Sequence, residues 1–144
     1  MKSINSAALC AIVSLTALLC ACSTEKVDPK IESADIAIYS GELNLNQSAL
    51  IGKVTLIDNC LAVESDNRNI AYKLIINEGE LERDPVQVSG NTLHLGDYVT
   101  FGGNELDFEL SSGIQSGLFN LGECSTDGKF WIAGKLEQYT AETN

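Results

Sequence analysis

The sequence predicts an all-β domain that folds as a small antiparallel barrel or sandwich of about six or seven short strands. Short runs of apolar, β-branched and aromatic residues recur from residue 48 onward, and turn-forming clusters separate them. The chain has 12 Gly but only 2 Pro, which suits tight turns between strands. After the first 22 residues, no stretch has the apolar spacing of a ten-residue helix. Short strands at regular spacing are typical of sandwiches and barrels.

The first predicted strands are joined by recognisable turns. A hairpin joins 49–57 to 60–63 through Asp58-Asn59, a pair that favours a tight turn. A second turn over 66–69 leads into a strand over 70–76. One face of that strand carries Ile70, Tyr72, Leu74 and Ile76.

The second half of the chain repeats this pattern. We expect strands over 92–95, over 98–101 with an end at Gly102-Gly103, over 105–110, and over 130–133. In 105–110, Leu106, Phe108 and Leu110 alternate with acidic residues, so they should face the core. The Gly- and Ser-rich stretch 111–128 is expected to be a loop.

The N-terminus has the features of an export signal. Lys2 precedes a stretch over 7–19 that is almost wholly apolar. This stretch is shorter than the roughly 20 residues that span a bilayer, so a cleaved leader is favoured over a transmembrane anchor. Leu19-Cys20-Ala21-Cys22 resembles the lipobox of bacterial lipoproteins. The resemblance implies cleavage before Cys22, a lipid thioether on Cys22 and acylation, such as palmitate, on the new amine.

The residue after the lipobox bears on sorting. In lipoproteins of enteric-type bacteria, Ser rather than Asp after the lipidated Cys resembles an outer-membrane signal, and here it is Ser23. We therefore expect a lipid-anchored envelope protein at the outer membrane, with its domain in the periplasm or at the cell surface. Two or three acyl chains hold a protein durably, whereas one binds reversibly.

Five cysteines divide between the leader, the anchor and the domain. Cys10 and Cys20 lie in the leader, and Cys22 carries lipid in this interpretation. Cys60 and Cys124 remain as an even pair in an oxidising compartment, which predicts a disulfide. Free thiols or a metal pair are the alternatives, but two Cys and one His do not complete a zinc site.

These features divide the chain into four predicted parts. A signal peptide covers 1–21, and a lipidated N-terminus with a flexible tether covers 22–47. A β domain covers 48–139, and a polar tail covers 140–144. Within the tether, Ile36, Ile38 and Tyr39 could form a short strand or pack on the edge of the domain.

Several short motifs resemble a group of uncharacterised small secreted β-barrel proteins. They are 58–63 around Cys60, Gly96-Asp-Tyr-Val through Gly102-Gly103, Cys124, and Trp131-Ile-Ala-Gly134. The resemblance implies the fold and the disulfide, and it implies no activity. The Gly-Asp-x-Val step is also similar to that of OB-fold barrels.

Charge and residue types restrict the chemistry. The net charge is −11, and all 20 acidic residues follow Cys22, so nucleic acid is a poor partner. The sequence has no nucleophile–base motif such as Gly-x-Ser-x-Gly or Ser-x-x-Lys. His94, the one histidine, fits a surface position better than a catalytic one, so we expect no catalytic residue and no cofactor.

Two sets of residues are candidates for binding. Trp131 and Tyr98 could line a groove for a sugar or a peptide, although core packing is the simpler role for Trp131. Acidic turns could bind calcium through Asp66, Glu78, Glu80 and Asp84, although neither turn matches an EF-hand.

The leading functional hypothesis is a non-enzymatic, membrane-anchored module that binds an envelope protein or a glycan. An alternative is an inhibitor of a periplasmic or host hydrolase, with 111–128 as the inserted loop. A hydrolase that uses a carboxylate pair is the third hypothesis.

Overall fold

The computed structural model describes residues 30–45, 48–67, 69–106 and 110–140. It confirms the all-β prediction, with a closed five-stranded barrel, extra strands and a small separate sheet. The barrel strands are β2 (Ser48–Ile57), β3 (Cys60–Ser65), β4 (Ala71–Asn77), β8 (Tyr98–Glu105) and β10 (Lys129–Thr140). The shorter strands are β1 (Ala37–Tyr39), β5 (Leu81–Glu82), β6 (Gln87–Val88), β7 (Asn91–Thr92) and β9 (Phe119–Asn120). The helical segments are two 3₁₀ turns, Ile31–Ser33 and Glu78–Glu80, and α1 (Leu110–Gln115).

The barrel closes through one parallel contact. Antiparallel pairs run β10-β8-β2-β3-β4, and β4 then pairs in parallel with β10 from Tyr72↔Lys129 to Ile76↔Ala133. We number the five barrel strands by their order in the chain. Around the barrel, the first strand is followed by the second, third, fifth and fourth, and the fourth pairs with the first. This is the strand order of the OB barrel, a five-stranded Greek-key fold. Strands β5, β6 and β7 form the separate antiparallel sheet in the connection from β4 to β8.

The barrel interior holds the larger of two apolar clusters. Alternation along each strand sends one set of side chains inward, including Tyr72, Leu74 and Ile76 as predicted. Ile70, predicted to lie on the same face, precedes β4 and is 40% exposed. Trp131 lies at the centre, fully buried, and its ring meets Tyr72 edge-on at 5.8 Å between centroids. Its Nε1–H donates to Gly102 O at 3.3 Å, so the polar end of the indole is satisfied.

Two short motifs, Asp58-Asn59 and Gly102-Gly103, show how the sequence dictates local structure. Asp58 and Asn59 both have positive φ, 48° and 64°, as a two-residue hairpin requires. Gly102-Gly103 does not end β8, contrary to prediction, because the strand continues to Glu105. At Gly103, φ is +134° and an added Cβ would collide with Ile132 O. The glycine therefore permits close approach to β10 rather than a turn.

The second apolar cluster lies outside the barrel. Outward-facing Ile75, Phe130 and Ile132 meet Phe119 and Leu121 from the long connection between β8 and β10. Cys60 and Cys124 form a disulfide that holds this connection against the start of β3. Closure of a loop with a sequence separation of 64 stabilises the fold by roughly 4 kcal/mol in the chain-entropy model.

A buried lysine holds the same connection. Lys73 faces outward from β4 but is only 2% exposed. Its Nζ donates to Ser125 O at 2.9 Å and Asp127 O at 2.8 Å, and it lies 5.4 Å from the centroid of the Phe130 ring. The ammonium therefore satisfies loop carbonyls that would otherwise lie against an apolar surface.

The structure corrects the boundary of the predicted tether. Residues from Ile31 belong to the domain, because Ile31 and Ile36 join the barrel core and β1 pairs in parallel with β4. The short strand expected around Ile36, Ile38 and Tyr39 forms as β1 over Ala37–Tyr39. Ser33 O accepts a hydrogen bond from Asn59 Nδ2 at 3.0 Å, so the chain enters the fold beside the β2–β3 turn.

The predicted strand over 105–110 is also wrong. Glu105 is the last residue of β8, residues 107–109 lie outside the described residues, and α1 starts at Leu110. A six-residue helix is too short to produce a recognisable period in the sequence. In place of the predicted strand over 92–95, the structure has the two-residue strand β7, which ends at Thr92. Leu93 follows it and is fully buried.

Replacement of the buried lysine should loosen the connection between β8 and β10. We expect Lys73→Ala to lower the free energy of unfolding by about 2–4 kcal/mol, because two carbonyls lose their donor. Urea denaturation would measure this, with Lys129→Ala as control. Lys129 is 57% exposed and pairs with Glu105 at 3.0 Å, so its loss should change stability by under about 1 kcal/mol. Equal losses in the two variants would contradict the role given to Lys73.

Candidate functional site

A surface hollow opens where the barrel strands β4 and β10 separate. Beyond the Ile76↔Ala133 pair, β4 turns into the 3₁₀ segment Glu78–Glu80, whereas β10 continues to Thr140. The gap forms a groove of about 800 Å³, in the size range of ligand sites. Its lining comes from three segments, and the residues are Tyr39, Gly41, Glu42, Leu43, Leu45, Asn77, Glu78, Gly79, Glu80, Gly134 and Lys135.

Asn77 joins two walls of this groove. Its Nδ2 donates to Gly41 O at 2.8 Å, and its Oδ1 accepts from Gly79 N–H at 2.8 Å. Nearby, Ser40 Oγ donates to Glu78 Oε2 at 2.8 Å. These bonds fix the rim before any ligand arrives, which lowers the ordering cost of binding.

Part of the groove lining is apolar. Tyr39 is buried, and its hydroxyl donates to Ala133 O at 3.1 Å across the β1–β10 gap. Leu43 and Leu45 are half-buried and pack against the outer apolar cluster. Apolar surface therefore lies directly beside polar groups of the rim, as in many binding sites.

A second hollow of about 380 Å³ extends the groove along β10. The two share Gly79, Glu80 and Lys135, and the second adds Glu82, Ser89, Gly90 and Leu136. Leu136 N–H donates to Ser89 Oγ at 3.2 Å, which ties β10 to the small sheet. We call the two hollows together the β10 groove.

The β10 groove has a strong excess of negative charge. Glu42, Glu78, Glu80 and Glu82 line it, and Lys135 is the one cationic lining residue. Glu80 is half-buried and the other three are exposed. Such a surface attracts cations and repels anions.

The structure separates the four calcium candidates. Glu78 and Glu80 lie on the β10 groove, whereas Asp66 lies in the β3–β4 turn and Asp84 in the β5–β6 turn. Within residues 30–45, 48–67, 69–106 and 110–140, no three His, Cys, Asp or Glu side chains are grouped to hold a metal ion.

The aromatic candidates have different positions. Trp131 is 0% exposed inside the barrel, so it cannot line a surface groove, and core packing is its role. From Phe130 to Ala133 the two alternating faces of β10 are both covered, one by the barrel core and the other by the outer cluster. Tyr98 is 37% exposed and pairs with Lys53 and Thr140, away from the lining of the β10 groove.

His94 lies beside a buried carboxylate. Its side chain is 63% exposed, and its Nδ1 lies 3.4 Å from Asp97 Oδ2. The same oxygen accepts from His94 N–H at 2.8 Å, and Tyr139 OH lies 2.9 Å from both that oxygen and Thr92 O. Asp97 thus links the turn at His94 to the end of β10, and these hydrogen bonds account for a buried carboxylate at this position.

The comparisons with known proteins give no family. No protein-family model, no curated protein and no solved structure matches the chain significantly. No helix among the described segments has the length and apolarity to cross a membrane. Cys22 and the predicted leader lie outside the described residues.

The sequence indicates Glu78 and Glu80 as calcium candidates, but it does not predict the groove that they line. Asn77 and Lys135 carry no motif, and their proximity depends on the divergence of β4 and β10, which are far apart in sequence. The one usable signal was Asn77-Glu-Gly, where a polar residue at a strand end is followed by a turn former.

The surroundings of the Tyr139 hydroxyl predict that the folded domain loses stability at alkaline pH. Partial burial, together with the hydrogen bond and charge of Asp97, raises the pKa of Tyr139 above its ordinary value of 10.0. The unfolded chain therefore ionises first, so the stabilisation is present below pH 10 and is lost as the pH rises through the folded pKa. We expect Tyr139→Phe to lose about 1 kcal/mol at pH 7 and to show a smaller further loss in alkali than the unsubstituted protein.

Urea titrations between pH 7 and alkaline pH would measure this difference. Tyr98→Phe is the control, since Tyr98 is 37% exposed. Parallel alkaline curves for Tyr139→Phe and the unsubstituted protein would show that Tyr139 makes no such contribution.

Proposed function

We propose that this protein is a lipid-anchored, non-enzymatic envelope module that binds a protein partner in the β10 groove. The leader 1–21 exports it, and acyl chains on Cys22 hold it at the outer membrane. Two features support the proposed location in the cell envelope. They are the sequence Leu19-Cys20-Ala21-Cys22 and a disulfide between the two cysteines of the domain, which suits an oxidising compartment.

The observation that carries the binding proposal is the pre-formed groove itself. A groove of about 800 Å³ combines apolar lining residues with charged side chains and with a rim held by the hydrogen bonds of Asn77. Such a mixture of apolar surface and a few placed polar groups is typical of sites that recognise a ligand. No nucleophile–base motif in the sequence competes with this interpretation.

A protein partner is favoured over a glycan or a nucleic acid by what covers the barrel. OB barrels bind oligonucleotides and oligosaccharides on the face of their second and third strands. Here those strands are β3 and β4, and outward-facing Ala62, Lys73 and Ile75 are buried, with Lys73 held by Ser125 and Asp127 of the β8–β10 connection. The acidic groove also repels polyanions.

The same packing bears on the inhibitor hypothesis. The expected inserting loop, 111–128, carries buried Phe119, Leu121 and Cys124 and lies against the barrel. An inhibitory loop that enters an active site needs to project, so this segment gives the hypothesis no support.

One co-isolation experiment tests both parts of the proposal. Tagged full-length chain would be expressed in its native envelope, cross-linked lightly, fractionated and isolated, with mass spectrometry as the readout. We expect the unsubstituted protein to recover one abundant protein from the membrane fraction. Lys135→Trp, which fills the shared part of the groove, should stay in the membrane but recover about tenfold less partner. Cys22→Ala should leave the membrane fraction.

The matched control is Lys53→Trp. Lys53 is also an exposed lysine on a barrel strand, but it pairs with Tyr98 and Glu64 away from the groove. Equal recovery from the two tryptophan variants would place binding outside the groove. Retention of Cys22→Ala in the membrane would contradict the lipid anchor, and recovery of glycan alone would contradict the protein partner.

A further inference from the structure

We infer that the occupant of the β10 groove is an extended segment of the partner that carries lysine or arginine. This inference rests on the proposed binding function and specifies the chemistry of its ligand. Three independent features of the groove lead to it: its charge, its apolar strip and the short stretch of β10, Gly134 and Lys135, that lies beyond the pairing with β4.

The charge selects a cationic occupant. The lining of the two joined hollows contains four carboxylates and one cationic side chain, that of Lys135. The carboxylates are those of Glu42, Glu78, Glu80 and Glu82. The carboxylates are spread along the groove rather than gathered, and no metal-binding group occurs in the described part of the chain. A string of separate positive charges therefore fits this surface better than one compact ion.

One of these carboxylates is held in position. Glu78 accepts the Ser40 hydroxyl at 2.8 Å, and its neighbour Gly79 is held by Asn77. Glu80 is tied through its backbone, because its carbonyl accepts from Ser89 N–H at 2.9 Å. Fixed acceptors lose little freedom on binding, which favours charge-assisted hydrogen bonds to an incoming ammonium or guanidinium.

The apolar strip suits the stems of the same side chains. Leu43 and Leu45 lie beside Glu42 on one wall, with Tyr39 below them. Lysine and arginine can lay their methylene groups on such a surface while their charged ends reach the carboxylates.

The backbone of the groove favours an extended segment. β8 pairs with one side of β10 as far as Thr140, whereas β4 leaves the other side after Ala133. Gly134 and Lys135 therefore border the groove on an edge to which no described strand is paired. Exposed strand edges bind extended peptides. Here Ala133 O already accepts the Tyr39 hydroxyl and Leu136 N–H already donates to Ser89 Oγ, so such pairing is limited to Gly134 and Lys135.

Binding of defined peptides tests the inference. The probe is a fluorescein-labelled decapeptide of alternating lysine and threonine, with counterparts in which glutamate or glutamine replaces lysine. The protein is the full Cys22→Ala chain, exported so that Cys60 and Cys124 oxidise, and fluorescence anisotropy is the readout. We expect the lysine peptide to bind, the glutamate peptide not to bind, and the glutamine peptide to bind at least about tenfold more weakly than the lysine peptide.

Matched charge variants separate the groove from the net charge of the protein. Glu78→Gln with Glu80→Gln should weaken binding of the lysine peptide about tenfold, since each lost pair contributes modestly. Glu64→Gln with Glu123→Gln removes two exposed carboxylates outside the groove and should leave the affinity unchanged. Equal weakening in the two double variants would overturn the inference, because binding would then follow net charge.

Failure of this inference is distinguishable from failure of the proposed function. If no lysine peptide binds but Lys135→Trp still removes the co-isolated partner, the groove binds a partner that is not cationic. If neither peptide nor partner depends on the groove, both proposals fail.

Discussion

The parallel contact between β4 and β10 is the interaction on which the rest of the structure depends. It closes the barrel from Tyr72↔Lys129 to Ile76↔Ala133, so that Trp131 is enclosed among inward-facing side chains. Parallel pairing needs a long crossover between the strands it joins. The chain between β4 and β10 supplies that crossover, and it contains the small sheet, β8 and the disulfide-linked connection.

The two ends of this contact have different consequences. Near its start, Lys73 and Phe130 face outward under the β8–β10 connection, which the Cys60–Cys124 disulfide holds in place. That covering buries much of the face that OB barrels use for ligands. Beyond its end, the strands diverge and open the β10 groove. The same strand register therefore covers the outer face of β3 and β4 and leaves the β10 groove beyond the end of the contact.

The sequence predicted the elements that local rules govern. The Asp58-Asn59 turn, the alternation along β4 and the Cys60–Cys124 pair were all predictable, because turn chemistry, strand period and cysteine parity act locally or by count. Tertiary contacts decided the rest. No local rule marks Lys73 as buried, because the loop that covers it comes from far along the chain. The groove lies between segments distant in sequence, so no single run of residues could predict it.

Site-specific photocrosslinking in cells tests the central claim most directly. A photoreactive phenylalanine would replace Lys135 in the groove or, as control, Tyr98 on another surface of the barrel. The account predicts one defined protein adduct from position 135, in the membrane fraction of the lipidated chain, and none from position 98. An adduct from position 98 without one from position 135 would contradict it, because the partner would then bind a surface other than the β10 groove.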